Sequence, residues 1–138
     1  MKRVVITGMG INSCIGNTLE AVTHSLQNGI SGTRSNPTYA ELNFKSHVSA
    51  AAEQDFDGID RKLKRFMGVC AMYAYNAAVA AVEHAGLKAE DLADNPRYGI
   101  AGGSGGGSTA SVVEMTELLE TKGARKVGPF FVPRNMTN

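Results

Sequence analysis

The side chains with intrinsic capacity for nucleophilic or metal-assisted chemistry are Cys14, Cys70, His24, His47 and His84. No histidine has a Cys, an Asp or a second His at ligand spacing, so no metal centre is read from the sequence. Cys14 follows a turn and could serve as a nucleophile, although a small buried apolar side chain is the simpler role. Cys70 is expected to face the interior of an alanine-rich helix, where a thiol is inert. His24 and His84 fall on helices, and His84 lies in a last turn, where a partial positive charge is favoured.

Glycines are the second candidate. Gly8-Met9-Gly10 follows a short apolar run, which invites a dinucleotide-binding reading. The G-x-G-x-x-G pattern fails at Ser13, and no acidic residue lies between Glu20 and Glu41 to hold a ribose. The run Gly102-Gly103-Ser104-Gly105-Gly106-Gly107 is not followed by Gly-Lys-Ser/Thr and is not a P-loop. A glycine run after a buried strand signals close approach of backbone or ligand.

Charge clustering is the third. Arg61, Lys62, Lys64 and Arg65 stand together with only Asp60 opposing them, and Lys122, Arg125, Lys126 and Arg134 share a stretch without an acid. These are either solvated surfaces or a docking surface for an acidic partner, where charge sets encounter rate and specificity.

The whole composition bounds these readings. The 138 residues carry 14 Lys and Arg against 13 Asp and Glu, a formal net charge of +1, which argues against a globally basic nucleic-acid binder. Hydrophobic residues make up 43% and charged residues 20%, enough apolar surface to oppose disorder. Two cysteines are too few for a disulfide framework. The stretch 66–82 is mostly alanine with Gly68 and Asn76, which is thin for a membrane span. No secretory signal is read, because Val4-Val5-Ile6 stops at Thr7-Gly8. A reduced, cytoplasmic protein is expected.

The elements that must position these residues read as an α/β chain. Val4-Val5-Ile6 and Tyr98-Gly99-Ile100-Ala101 are expected as buried strands, each running into glycine. Asn17 with Glu20 has capping-box spacing ahead of Leu19, Val22 and Leu26, and Gly29 suits the left-handed position after the helix. From 30 to 54 the chain is mostly loop, with Phe44 and Val48 marking a weak strand. Asp60 caps a first basic turn, and a long helix is expected over about 66–85, closed by Gly86. It is apolar nearly all round, as suits a helix inside a fold. A short helix is expected over 88–92, and Ser108 caps a further one that ends at Lys122-Gly123. The segment 127–138 shows no periodicity. Two strands and one weak one do not make a sheet broad enough to bury three apolar helices, so part of a larger fold is expected.

Four segments, in order along the whole chain, resemble the β-ketoacyl-[acyl-carrier-protein] synthases. They are Val4 to Gly10 with Ile15-Gly16, Asp60 to Met67, Asn95-Pro96-Arg97-Tyr98-Gly99 leading into 103–108, and Val127 to Pro133 ending at Met136. The resemblance implies the N-terminal portion of a thiolase-like fold (layered α-β-α-β-α), a usual homodimer, and a cytoplasmic enzyme of fatty acid biosynthesis. It implies decarboxylative Claisen condensation of an acyl-enzyme with malonyl-acyl carrier protein, using a Cys nucleophile and two His residues. No cofactor of its own is implied, since phosphopantetheine arrives on the carrier protein.

Gly105-Gly106-Gly107 resembles synthase I, in which a glycine lines the acyl pocket where synthase II has a larger aliphatic residue. By that match Gly106 borders the acyl chain, and Met136 lines the pocket of the neighbouring subunit. Arg61, Lys62 and Arg65, with Lys122, Arg125 and Lys126, fall where the family contacts its acidic carrier protein. No residue of this chain matches the catalytic Cys or His positions, so residues 1–138 are read as an N-terminal part with the catalytic second part absent, inactive alone. Three alternatives stand beside this reading: a non-catalytic ketosynthase-like partner subunit, a nucleotide-binding α/β module, and a free-standing protein that shields carrier-bound acyl chains.

Overall fold

The computed structural model describes residues 3–136, which form two compact units: 3–55 with 76–88, and 56–75 with 89–136.

In the first unit, helix α1 (Leu19–Gln27) starts at Thr18, whose hydroxyl accepts the Ala21 N–H at 3.2 Å. The cap thus falls one residue later than the capping-box spacing suggests. Asn17 instead accepts the Ser13 N–H at 3.3 Å and donates its amide to the Glu53 carbonyl. At the other end Gly29 (φ 62°) takes the left-handed position, and the Ile30 N–H closes on the Ser25 carbonyl at 2.8 Å. Strands β1 (Arg34–Ser35) and β2 (Val48–Ser49) pair antiparallel, Arg34 opposite Ser49 and Ser35 opposite Val48. Between them lies helix α2 (Pro37–Glu41), which carries Pro37 in its first turn. Phe44 lies outside the strand and packs on Tyr39, ring centroids 5.1 Å apart.

Helix α3 (Arg61–Lys64) belongs to the other unit, and helix α4 (Val69–His84) gives residues 76–84 to this unit and 69–75 to the other. Gly8 and Gly10 lie on the ridge that Ala77, Ala81 and Ala85 form at i, i+4 spacing on α4 and the residue after it. A Cβ at Gly10 would overlap the Ala77 carbonyl oxygen; at Gly8 it would overlap that of Ala81 and stand 2.7 Å from the Ala85 Cβ. Both obstacles are backbone of a helix, which cannot give way. The helix closes as its sequence requires, with Gly86 at φ 68° and the Leu87 N–H on the Val82 carbonyl at 3.2 Å.

In the second unit, Asp60 caps α3 (Arg61–Lys64), its carboxylate accepting the Lys62 N–H at 2.7 Å and the Leu63 N–H at 3.4 Å. Ile59, 3% exposed, anchors the turn before it. The short helix α5 (Ala89–Leu92) precedes α6 (Thr109–Lys122). Ser108 caps α6 by accepting the Ser111 N–H, and the Ser111 hydroxyl donates to Ser108 at 2.9 Å; both serines are buried. Gly123 (φ 79°) ends α6, a 3-10 turn spans Ala124–Lys126, and α7 (Phe131–Asn135) follows with Phe131 buried. Phe56 meets Tyr73 edge to face at 5.1 Å.

Three expectations are corrected. Among the described residues neither 4–6 nor 98–101 joins a sheet, and Val4 and Ile100 are 93% and 99% exposed. A strand exists only by pairing, and among the described residues neither segment takes part in a strand pairing. The long helix starts at Val69 rather than near Phe66, because the Phe66 and Met67 N–H groups bond back to the Leu63 and Lys64 carbonyls and so close the preceding turn instead. No α4 residue is buried, and Cys70 is exposed rather than interior.

Candidate functional site

The second unit contains an open cleft of about 640 Å³. Its floor comes from the first half of α4, through Cys70, Ala71 and Ala74, whose small side chains leave the space free. Phe66 and Ile100 make it apolar, and the glycine run closes one side. Gly106 and Met136 both line this cleft, although they are 30 positions apart in the chain. A Cβ at Gly106 would meet nothing within 4 Å, and its φ lies outside the left-handed range. Neither packing nor backbone conformation within the described residues therefore demands glycine there. Gly107 is different, because a side chain there would press on the Asn135 carbonyl.

Arg134 forms another part of the wall. Its guanidinium donates to Glu114 at 2.9 Å and lies 5.0 Å from the centre of the Phe131 ring. Sequence reading placed Arg134 in a stretch without acids; its acid stands 20 positions earlier, one helix back. Such pairing across α6 and α7 carries no local signal. The Arg134 Nε and the Asn135 Oδ1 are buried without hydrogen-bond partners.

The cations group on two segments of this unit. Arg61 and Lys62 stand on α3 and Arg65 directly after it; Lys122 ends α6, and Arg125 and Lys126 lie in the 3-10 turn. All six are exposed, and among the described residues none makes an ion pair. Lys64, by contrast, lies 4.0 Å from Asp57. Phe66, next to Arg65, packs against Phe130, so the two basic segments are joined through an aromatic contact.

The other candidates acquire ordinary structural roles. Gly8 and Gly10 are required by packing on α4, which accounts for them without a nucleotide. Cys14 is half-buried against Gly32, whose missing side chain would overlap the cysteine. Among the described residues no three His, Cys, Asp or Glu side chains come together as a metal site, and no helix is long and apolar enough to cross a membrane. His84 accepts a hydrogen bond from the Met9 N–H at 3.1 Å, a link over 75 positions that its place in a last turn did not disclose.

The whole chain, residues 1–138, matches the family described as Beta-ketoacyl synthase, N-terminal domain. It is 41% identical over 140 residues to the 3-oxoacyl-[acyl-carrier-protein] synthase 1 of Haemophilus influenzae, and 39% identical to that of Escherichia coli. Each alignment covers 100% of this chain and 34% of the relative, so the chain spans about one third of the length of these curated relatives. A beta-ketoacyl synthase from Burkholderia phymatum has the same fold over 99% of this chain and 34% of its own, with a TM-score of 0.79 at 30% identity. The ishigamide ketosynthase/chain length factor shares the fold at 24% identity, with a TM-score of 0.70. The fold is accordingly an N-terminal portion of the thiolase-like α/β fold, and the chain belongs to the β-ketoacyl synthase family.

Proposed function

We propose that this chain is the N-terminal part of a synthase I-type condensing enzyme, an acyltransferase that elongates acyl chains in fatty acid biosynthesis. The reaction is decarboxylative Claisen condensation of an enzyme-bound acyl group with malonyl-acyl carrier protein. The observation that carries this reading is the cleft beside Gly106, apolar along α4 and unobstructed at the glycine; Met136, which the resemblance assigns to the neighbouring subunit's pocket, lines the same cleft of its own chain. Such a surface suits an alkyl chain, which gains about 0.8 kcal/mol for each methylene removed from water.

Arg61, Lys62, Arg65, Lys122, Arg125 and Lys126 form the docking surface for the acidic carrier protein, whose phosphopantetheine arm brings the acyl group. Six exposed cations that make no ion pair among the described residues raise the encounter rate of an anionic partner. Condensation also needs a thiolate and donors for the developing enolate charge. In this reading those come from a catalytic part outside these 138 residues, and the working enzyme is a cytoplasmic homodimer.

Charge reversal tests the docking surface. In the enzyme containing this chain, Arg61→Glu with Arg65→Glu raises KM for carrier-bound substrate about tenfold or more, the effect of about 1.4 kcal/mol of lost attraction. A short thioester without the carrier is turned over as before. Equal effects on both substrates would overturn the assignment.

A further inference from the structure

His84 sits where three stretches of the first unit converge: the turn 8–10, the start of α1 and the end of α4. The Met9 backbone N–H can only donate, so its 3.1 Å bond to His84 Nδ1 requires a lone pair on that nitrogen. The imidazole is therefore neutral, with its proton on Nε2. The bond adds direction to the contact of Gly8 and Gly10 with Ala77, Ala81 and Ala85, which is otherwise van der Waals packing.

The surroundings provide a second state. A small niche beside the ring is lined by residues 9–11, 17–20 and Ala80, and among the described residues Glu20 and His84 are its only titratable side chains. No charged group faces His84 there from the 9–11 segment or from α4 itself. Glu20 stands in the first turn of α1. Its carboxyl is held below the usual carboxylate range by its own backbone N–H, then by the Thr18 hydroxyl, and by the charge of His84 only when that ring is protonated. The anion is thus present wherever an imidazole takes up its second proton.

We propose that His84 is a protonation-sensitive latch: neutral, it holds the 8–10 turn to α4; protonated, it releases Met9 and turns to Glu20. The step consumes one proton from solvent. The Nδ1 lone pair that accepted from Met9 becomes an N–H bond, the Met9 N–H passes to water, and the imidazolium gains the Glu20 carboxylate as its counter-charge. No other co-reactant is needed.

Amide hydrogen exchange of residues 3–12 in the full-length chain, corrected for intrinsic rates, tests the latch between about pH 8 and pH 5. Protection of the Met9 amide is expected to fall roughly fivefold toward the acid end, the equilibrium weight of one such bond. His84→Asn flattens the profile, because the asparagine Oδ1 occupies the position of Nδ1 and accepts at every pH. Glu20→Gln moves the transition to lower pH by removing the counter-charge. Matching profiles for the parent chain and His84→Asn would overturn the proposal. So would nitrogen NMR placing the neutral ring's proton on Nδ1, a measurement that needs no variant.

Discussion

The ring of Phe66 stands edge-on to that of Phe130, centroids 5.0 Å apart and planes at 84°. That contact joins the segment carrying Arg61, Lys62 and Arg65 to the one carrying Lys122, Arg125 and Lys126. Edge-to-face pairs contribute about 0.5–1.5 kcal/mol beyond the area they bury. Phe66→Ala is expected to lower unfolding free energy by about 1–3 kcal/mol in urea titration. Phe66→Leu should recover part of this. If the basic segments act as one docking surface, Phe66→Ala also raises KM for carrier-bound substrate more than for a free thioester.

Gly10 and Gly106 answer opposite questions. At Gly10 an added methyl meets helix backbone at Ala77 and Ala81, so Gly10→Ala should cost more than about 2 kcal/mol of stability. At Gly106 it meets nothing, and Gly106→Ala should stay within about 0.5 kcal/mol. Denaturation curves of the two variants side by side check both statements.

Gly106 should matter for substrate instead. In the enzyme containing this chain, Gly106→Leu fills the cleft beside Met136. Elongation of long acyl primers is expected to fall at least tenfold while short primers react nearly as before, read from the product distribution of a primer series. An unchanged distribution would detach the cleft from acyl binding.

Thr18 and Glu20 give a pH signature. Because the folded-state carboxyl is held low, Glu20 contributes stability above the unfolded value of about 4.3, and that contribution is lost as pH falls through the lower folded value. Glu20 is fully exposed, so the effect is small and salt-sensitive. Thr18→Ala removes both the cap on Ala21 and the hydroxyl beside Glu20. The Glu20 titration, followed by carboxyl NMR, should move up toward the ordinary range. Stability at neutral pH should drop by about 1 kcal/mol.

Ser108 and Ser111 form a buried hydroxyl pair at the start of α6. Ser108→Ala is expected to cost about 1–2 kcal/mol, since it removes the cap and leaves the Ser111 hydroxyl without its acceptor. Ser108→Thr keeps the oxygen but crowds Gly68, whose virtual Cβ lies 2.8 Å from that of Ser108. Comparing the two melting temperatures separates lost capping from crowding.

Local signals were legible wherever one residue decides the backbone. Gly29, Gly86 and Gly123 end three helices, and Asp60 and Ser108 open two, each within reach of four or five neighbours. The slip from Asn17 to Thr18 has the same local origin: both residues can cap, and the Glu53 carbonyl, 36 positions away, draws Asn17 elsewhere. The alanines of α4 permit the close backbone approach found at Gly8 and Gly10. Helix α7 was hidden because Pro129 and Pro133 mask its pattern, although Pro133 tolerates a position in so short a helix. Burial was the least legible property. Val4, Ile100 and Cys70 have interior side-chain types, but exposure depends on what lies alongside. Resemblance placed Gly106 at the acyl pocket and Met136 at the neighbouring subunit's pocket; their shared cleft, the Arg134–Glu114 pair and, in the first unit, the Met9–His84 bond are visible only in the structure.

The contact of Gly8 and Gly10 with the end of α4 has a consequence in time. The Met9–His84 link spans 75 positions, with residues 56–75 of the other unit synthesised in between. At about 5–20 residues per second, the ribosome takes roughly 4–15 seconds to pass from one partner to the other. Closing so long a loop adds little equilibrium cost, because the entropy grows only logarithmically. It does fix an order of events. The turn at Gly8 and Gly10 must wait for its partner until Ala85 has left the exit tunnel, and slow translation through 56–85 prolongs that wait.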